Sequence, residues 1–196
     1  VIERNFELIK FALELPFSHE EIHYKLPFLF SIKKHLIPGL SSFKKNILLI
    51  PGASFQSKCY PVEKFAEVVK EIDANFLIIW GNQKEKIMAE KVKALSPKVI
   101  ICEKLSLDAL ISLISQVDLV LGPDTGPTHM AWALNKSSIT LFGSTPGHRN
   151  SYVTKVNQII ESNSEVNPFK IDKNDNSIND IDAQEIFQVS QDLLNQ

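Results

Sequence analysis

Between Asn46 and Phe142, five short apolar runs alternate with amphipathic stretches. The runs are Asn46–Ile50, Phe76–Trp80, Val99–Cys102, Leu119–Leu121 and Ile139–Phe142. The stretches between them, Val62–Ile72, Lys84–Leu95, Leu107–Ser115 and Pro127–Leu134, carry apolar residues at helical spacing. Strands this short and continuously apolar are buried on both faces, and a helix between consecutive strands makes them parallel. The pattern therefore predicts an α/β fold whose parallel sheet is covered on both sides. Gly52, Gly81, Gly122 and Gly143 each follow within two residues of a predicted strand end. In open α/β sheets that edge is where ligands bind. Each glycine alone could make only a tight turn, but four at one edge favour a crevice.

The flanks are less regular. Residues 1–15 read as a helix, with Ile2, Phe6, Ile9 and Leu13 at a spacing of three to four. Residues 16–44, with Pro16, Pro27, Pro38 and Gly39 among aromatic and basic residues, read as a connecting segment. Periodicity fades again over 150–180. It returns in a last amphipathic helix with Ile181, Ile186, Val189, Leu193 and Leu194 on its apolar face. The predicted units are thus 1–44, 45–180 and a helix within 181–196. With 196 residues, 44% of them hydrophobic, the chain can bury a sizeable core, and disorder is excluded.

Charge and cysteine content narrow the function. A net charge of −2 from 21 basic and 23 acidic residues argues against a nucleic-acid binder. Cys59 and Cys102 have no CxxC partner, so no disulfide framework is expected and a reducing cytoplasm is the expected setting. No window of 18 uncharged apolar residues predicts a membrane-spanning helix. Glu3, Arg4, Glu7 and Lys10 interrupt any signal-peptide pattern. The chain starts at Val1 rather than Met and reads as part of a longer protein.

Three loops at the predicted crevice carry chemistry. The segment Gly122-Pro-Asp124-Thr125-Gly126-Pro127-Thr128-His129 joins a strand to a helix, with Pro127 suited to the first turn and Gly126 expected as N-cap. Free N–H groups and the positive helix end suit a phosphate. Thr125 can add a hydroxyl, and His129 lies about one turn in. On spacing alone, Asp124 and Thr125 could equally be simple caps and His129 a satisfied polar residue. The loop Pro51–Pro61 lacks the Walker pattern but offers Ser54 and Lys58; the lysine could equally be merely solvated. Past the second strand, Glu85 could bond a ribose or serve as a helix-start acid. GxGxxG is absent, which disfavours a nicotinamide enzyme. Asp172–Asp182 opens like a calcium loop, but Ser177 and Ala183 break the template, and Asp182 suits a helix N-cap. Cys59 beside Lys58 could have a lowered pKa. No metal site is expected.

Together these segments resemble the lipopolysaccharide heptosyltransferases of glycosyltransferase family 9. The resemblance is strongest to the branch that adds the first heptose to Kdo-lipid A. It is carried by Pro51–Pro61, Trp80–Glu85, Lys104–Leu107, Asp124–Leu134 and Ile139–Pro146, over roughly residues 45–150. It implies a Rossmann-like, doubly wound α/β lobe, the C-terminal donor-binding half of a two-lobed GT-B enzyme. Residues 1–44 would then join the lobes, and the last helix would pack on this domain or on the other lobe. The donor would be ADP-heptose. Ser54, Lys58, Asp124, Thr125 and Gly126 would hold its diphosphate, with His129 close by; Glu85 would meet the ribose and Leu105 the adenine. Ala53 departs from the pattern, because some relatives carry a hydroxyl there. The family's general base is an aspartate in a glycine-rich loop of the other lobe, and no such loop is present here. No cofactor or metal is implied, and Lys58 with the helix end would stabilise the leaving ADP. The expected setting is the cytoplasm, peripherally at the inner membrane. A nucleotide-sugar epimerase of related fold, or a nucleotide-binding module without catalysis, are the competing readings.

Overall fold

The computed structural model describes residues 2–16, 18, 20–21, 24–167 and 171–196. Its elements are α1 (Ile2–Leu13), β1 (Asn46–Leu49), α2 (Val62–Glu71), β2 (Asn75–Ile78), α3 (Gln83–Leu95), β3 (Val99–Ile101) and α4 (Leu107–Gln116). They continue as β4 (Leu119–Pro123), α5 (Gly126–Ala133), β5 (Ser138–Phe142), α6 (Gly147–Asn150), β6 (Asn157–Glu161) and α7 (Ala183–Leu194). Short 3₁₀ turns occupy Gln56–Lys58 and Ser177–Asp180.

All six strands run parallel, in the order β3-β2-β1-β4-β5-β6. The chain starts in the middle, works outward through β2 and β3, then crosses back to continue through β4, β5 and β6. This is the covered parallel sheet that the alternation predicts, in the doubly wound form that the resemblance implies. Side chains divide between the two faces by strand alternation. Ile47, Leu49, Phe76, Ile78, Leu119 and Leu121 pack toward α2, α3 and α7. Leu48, Ile50, Leu77, Ile79 and Val120 pack toward α4, α5 and Ile37 of the connecting segment.

One expectation fails. Residues 150–180 are not irregular throughout, because β6 extends the sheet beside β5. Its sequence, Asn-Gln-Ile-Ile-Glu, has only two apolar residues, which suits an edge strand but hides it from a hydrophobicity reading. Ile178 also enters the core from the second 3₁₀ turn.

Asp182 caps α7 by accepting the N–H of Gln184 at 3.0 Å. Ile181, Ile186 and Leu193 are buried, with Val189 and Leu194 packed beside them, so α7 closes the face that α2 shares. The connecting segment is tied to the other face. The Ile32 N–H donates to Asp108 and the His35 N–H to Ser112. Gly39 takes a φ of +92°, in the left-handed region that favours glycine. Leu8, Phe11 and Leu13 of α1, and Leu26, Phe30, Ile32 and Leu36 of the segment, remain exposed. Among the described residues no helix is long and apolar enough to cross a membrane.

Candidate functional site

The sheet order reverses between β1 and β4, which are neighbours there. That places the loops after these strands side by side. A Cβ at Gly122 would lie 2.7 Å from Cβ of Ile50, so only glycine lets the two strand ends approach so closely. The loop after β1 then turns through Gln56–Lys58 and points the Lys58 ammonium at the loop after β4.

The Lys58 Nζ lies 2.7 Å from Oδ2 of Asp124. The Asn150 amide donates to the same oxygen at 3.1 Å, and the Thr145 hydroxyl reaches it at 3.4 Å. His129 Nε2 lies 2.9 Å from Oδ1. Asp124 is 7% exposed and Lys58 9%. Burial pushes the Asp124 acid up, but the hydrogen bonds from His129 and Lys58 and the Lys58 charge outweigh it. Its carboxyl is held well below the ordinary carboxylate range. Lys58 is therefore a buried ion-pair partner and not a solvated loop residue. His129 is half-buried and joined to the same carboxylate.

The helix start differs from expectation. Thr125, not Gly126, is the N-cap of α5; Gly126 and Pro127 form the first turn. The Thr125 N–H donates to Oγ1 of Thr128 at 3.3 Å, and that hydroxyl donates to the Thr125 carbonyl. Thr128 serves this role because its side chain returns from the third helical position. Pro127 has no N–H and the Thr128 N–H is taken by the Thr125 side chain, so the Gly126 N–H is the first-turn amide left for a ligand.

Two cavities adjoin Thr125, the residue after Asp124. One, of about 580 Å³, is lined by Gly52, Ser54, Lys84, Glu85 and Thr125 among others. A narrower one, of about 170 Å³, is lined by Trp80, Gly81, Glu85, Leu105, Leu110 and Pro127 among others. Glu85 stands at both. Its carboxylate accepts the Gly81 N–H at 2.6 Å and the Asn82 amide at 2.7 Å, while the Asn82 side chain caps α3. Ser54, Glu85, Leu105 and Thr125 thus gather around the cavities, and Lys58, Asp124 and His129 gather beside them.

Two members of the Asp124 cluster escaped the sequence reading. Thr145 lies in the Gly143-Ser-Thr-Pro turn, which follows β5 at the same edge and could have been suspected on that ground. Asn150 carries no sequence signal; α6 brings it in. The expectation of a lowered Cys59 pKa is also wrong. Burial is the largest influence and, with Glu85 nearby, raises it despite the Ala53 backbone hydrogen bond and the Lys58 charge. Among the described residues, no group of three His, Cys, Asp or Glu side chains could hold a metal ion.

Chemically, the site pairs a fixed carboxylate with a cation beside a helix N-terminus. An ammonium has three donors, and the pairing with Asp124 uses one. The remaining donors, the Gly126 N–H and the positive end of α5 can serve an anion.

Fold and site define a doubly wound α/β lobe of the GT-B kind, with its polar constellation at the topological switch point. The chain belongs to glycosyltransferase family 9 (heptosyltransferase), whose profile matches residues 1–177. It is 36% identical over 210 residues to lipopolysaccharide heptosyltransferase 1 of Campylobacter coli, covering 99% of this chain and 61% of that protein. It is 34% identical over 105 residues to the lipopolysaccharide core heptosyltransferase OpsX of Haemophilus influenzae, covering 50% of this chain and 30% of that protein. Among solved structures, E. coli heptosyltransferase WaaC with ADP superposes with a TM-score of 0.72 at 17% identity, over 98% of this chain and 56% of that one. E. coli ADP-heptose heptosyltransferase II gives 0.67 at 21% identity, over 93% of this chain and 53% of that one. The chain thus spans 61% or less of these proteins.

Proposed function

We propose that this chain is the donor-binding part of an ADP-heptose:lipopolysaccharide heptosyltransferase acting on the Kdo-lipid A core. The observation that carries the reading is the Lys58–Asp124–His129 constellation at the switch point, beside the α5 N-terminus and two cavities. The 36% identity to a lipopolysaccharide heptosyltransferase supports the substrate class. That similarity and the family membership favour this reading over the nucleotide-sugar epimerase.

The adenosine occupies the cavities at Leu105 and Glu85, with the diphosphate at Ser54, Thr125, Gly126 and the free donors of Lys58. In transfer, the acceptor oxygen attacks the anomeric carbon while the bond to the β-phosphate oxygen breaks. The electron pair leaves with ADP, and the acceptor proton passes to a base supplied by another part of the enzyme. Lys58 and the Gly126 N–H at the start of α5 stabilise the charge that develops on the departing diphosphate; one such donor is worth about 2.7–4 kcal/mol in a transition state. Asp124 holds Lys58 in place for this. No divalent cation is needed for donor binding.

The site of action is the cytoplasmic face of the inner membrane, where a lipid acceptor would be met. Residues 24–45 support this, with five lysines, no acid and several exposed apolar side chains.

Calorimetric titration with ADP, UDP and GDP, each with and without EDTA, tests the proposal. ADP is expected to bind tightest and to be indifferent to EDTA. UDP binding as tightly as ADP would overturn the donor assignment, and loss of ADP binding in EDTA would overturn the metal-free mechanism.

A further inference from the structure

The polar run Asp172–Asp182, which fails as a calcium loop, packs against the loop that carries Ser54 and Lys58. We propose that this run is a brace for that loop, with Lys173, stacked on Phe55, as a positioning residue. It touches no ligand; it sets the shape of the turn that aims Lys58 at the diphosphate. The inference rests on the ADP-sugar reading and adds to it a part of the chain that the reading leaves idle.

The ties fall on both ends of the turn. The Lys173 ammonium stands over the Phe55 ring, 4.5 Å from its centroid. Phe55 opens the 3₁₀ turn Gln56–Lys58, and its carbonyl accepts the Lys58 N–H at 3.1 Å. The Gln56 carbonyl accepts the Cys59 N–H at 2.9 Å. Fixing the ring therefore fixes the residue from which the turn, and with it Lys58, is hung. Past the turn, the Tyr60 hydroxyl donates to the Ile181 carbonyl at 3.1 Å. The Lys64 ammonium donates to the carbonyls of Asn179 and Ile181 at 2.6 and 2.7 Å. Phe55, Lys173, Asn179 and Ile181 line neither nucleotide cavity, so these contacts act on the loop and not on its ligand.

A brace must itself be stiff, and this one is bonded within itself and to the sheet. Asp172 accepts the Asn174 N–H at 2.8 Å. The Asp175 carboxylate accepts the Ser177 N–H at 2.8 Å and the Ser164 hydroxyl at 3.0 Å. The turn Ser177–Asp180 is seated on the end of β5, where the Ile178 nitrogen lies 2.6 Å from the place a Cβ at Gly143 would take. Ser144, next in the chain, meets Ser57 of the donor loop hydroxyl to hydroxyl at 3.3 Å. Run, strand end and donor loop thus form one packed unit.

Lys173 is exposed and Phe55 half-buried, so their contact is a surface cation–π pair. A pair of that kind corresponds to about a two- to fivefold change in an equilibrium.

Amide exchange and ADP calorimetry on the 196-residue chain test the brace apart from the donor reading. In ligand-free protein, Lys173→Ala is expected to speed exchange of the Lys58 and Cys59 N–H groups by about two- to fivefold. Lys173→Arg should restore the slow exchange, because a guanidinium also stacks on an aromatic face. ADP affinity should fall by the same factor in the alanine variant and return in the arginine variant. In a Phe55→Leu background, Lys173→Ala should change neither quantity, which separates a stacked cation from a lysine that attracts ADP by charge alone. Unchanged exchange in the folded alanine variant would overturn the brace, as would an equal effect of Lys173→Ala with and without the Phe55 ring. Faster exchange with unchanged ADP affinity would overturn the positioning role. If the wild type binds no ADP, the donor reading fails by itself, and the exchange result still decides whether the brace exists.

Discussion

Replacing Asp124 with alanine should destabilise the fold as well as the site. The carboxylate receives Lys58, Asn150 and Thr145 on one oxygen and His129 on the other. Removing it leaves the 9%-exposed Lys58 ammonium without its counter-charge. Breaking a buried ion pair from one side costs about 3–5 kcal/mol. The crevice is open enough for Lys58 to turn toward water, so the lower end, about 3 kcal/mol, is expected. For a chain of this size that lowers Tm by about 6–12 °C. Removing both charges, as Lys58→Met with Asp124→Leu, should cost less than Asp124→Ala alone, because no orphaned charge remains. Urea unfolding at neutral pH, followed by far-ultraviolet circular dichroism, gives the free energies, and the double-mutant cycle gives the coupling. An Asp124→Ala cost below about 1 kcal/mol would refute the argument. So would a double variant that costs as much as the two single changes added together.

Acid should act through the same residue. Its folded carboxyl lies below the ordinary value, so its stabilisation is full above about pH 4 and is lost as pH falls from there toward the folded value. Urea midpoints measured from pH 6 down to pH 2.5 should fall further in the wild type than in the Lys58→Met/Asp124→Leu variant, and equal falls would exclude this residue as the cause. Gly52→Ala should weaken ADP binding, because a Cβ there would stand 2.2 Å from Cγ of Glu85 and force that side chain off the Gly81 N–H. The stability cost should stay near about 1 kcal/mol, one partly solvated hydrogen bond, and unchanged ADP affinity would show that Glu85 plays no part in binding.

Local chemistry was legible in the sequence where it was local. Each apolar run became a strand because its burial on both faces requires continuous apolar residues. Asp182 capped α7 as its position three residues before Glu185 suggests. Long-range pairing was not legible. Lys58 reads as a solvated loop lysine because its partner lies 66 residues away, and only the β1–β4 adjacency brings them together. Asn150 is invisible for the same reason. β6 was missed because an edge strand needs few apolar residues. The shift of the α5 cap from Gly126 to Thr125 turned on the Thr128 side chain, which competes locally with the expected geometry.

The place where the strand order reverses is also a seam in the folding of the chain. β1, β2 and β3 form one contiguous half, β4, β5 and β6 the other, and β1–β4 is the one ladder that joins them. The Lys58–Asp124 pair crosses the same line. A ligand bound there clasps two halves that are far apart in sequence, so occupancy and cohesion rise together. At a hundredfold excess over Kd a ligand adds about 2.7 kcal/mol to the folded state. In this topology that gain falls on the join itself.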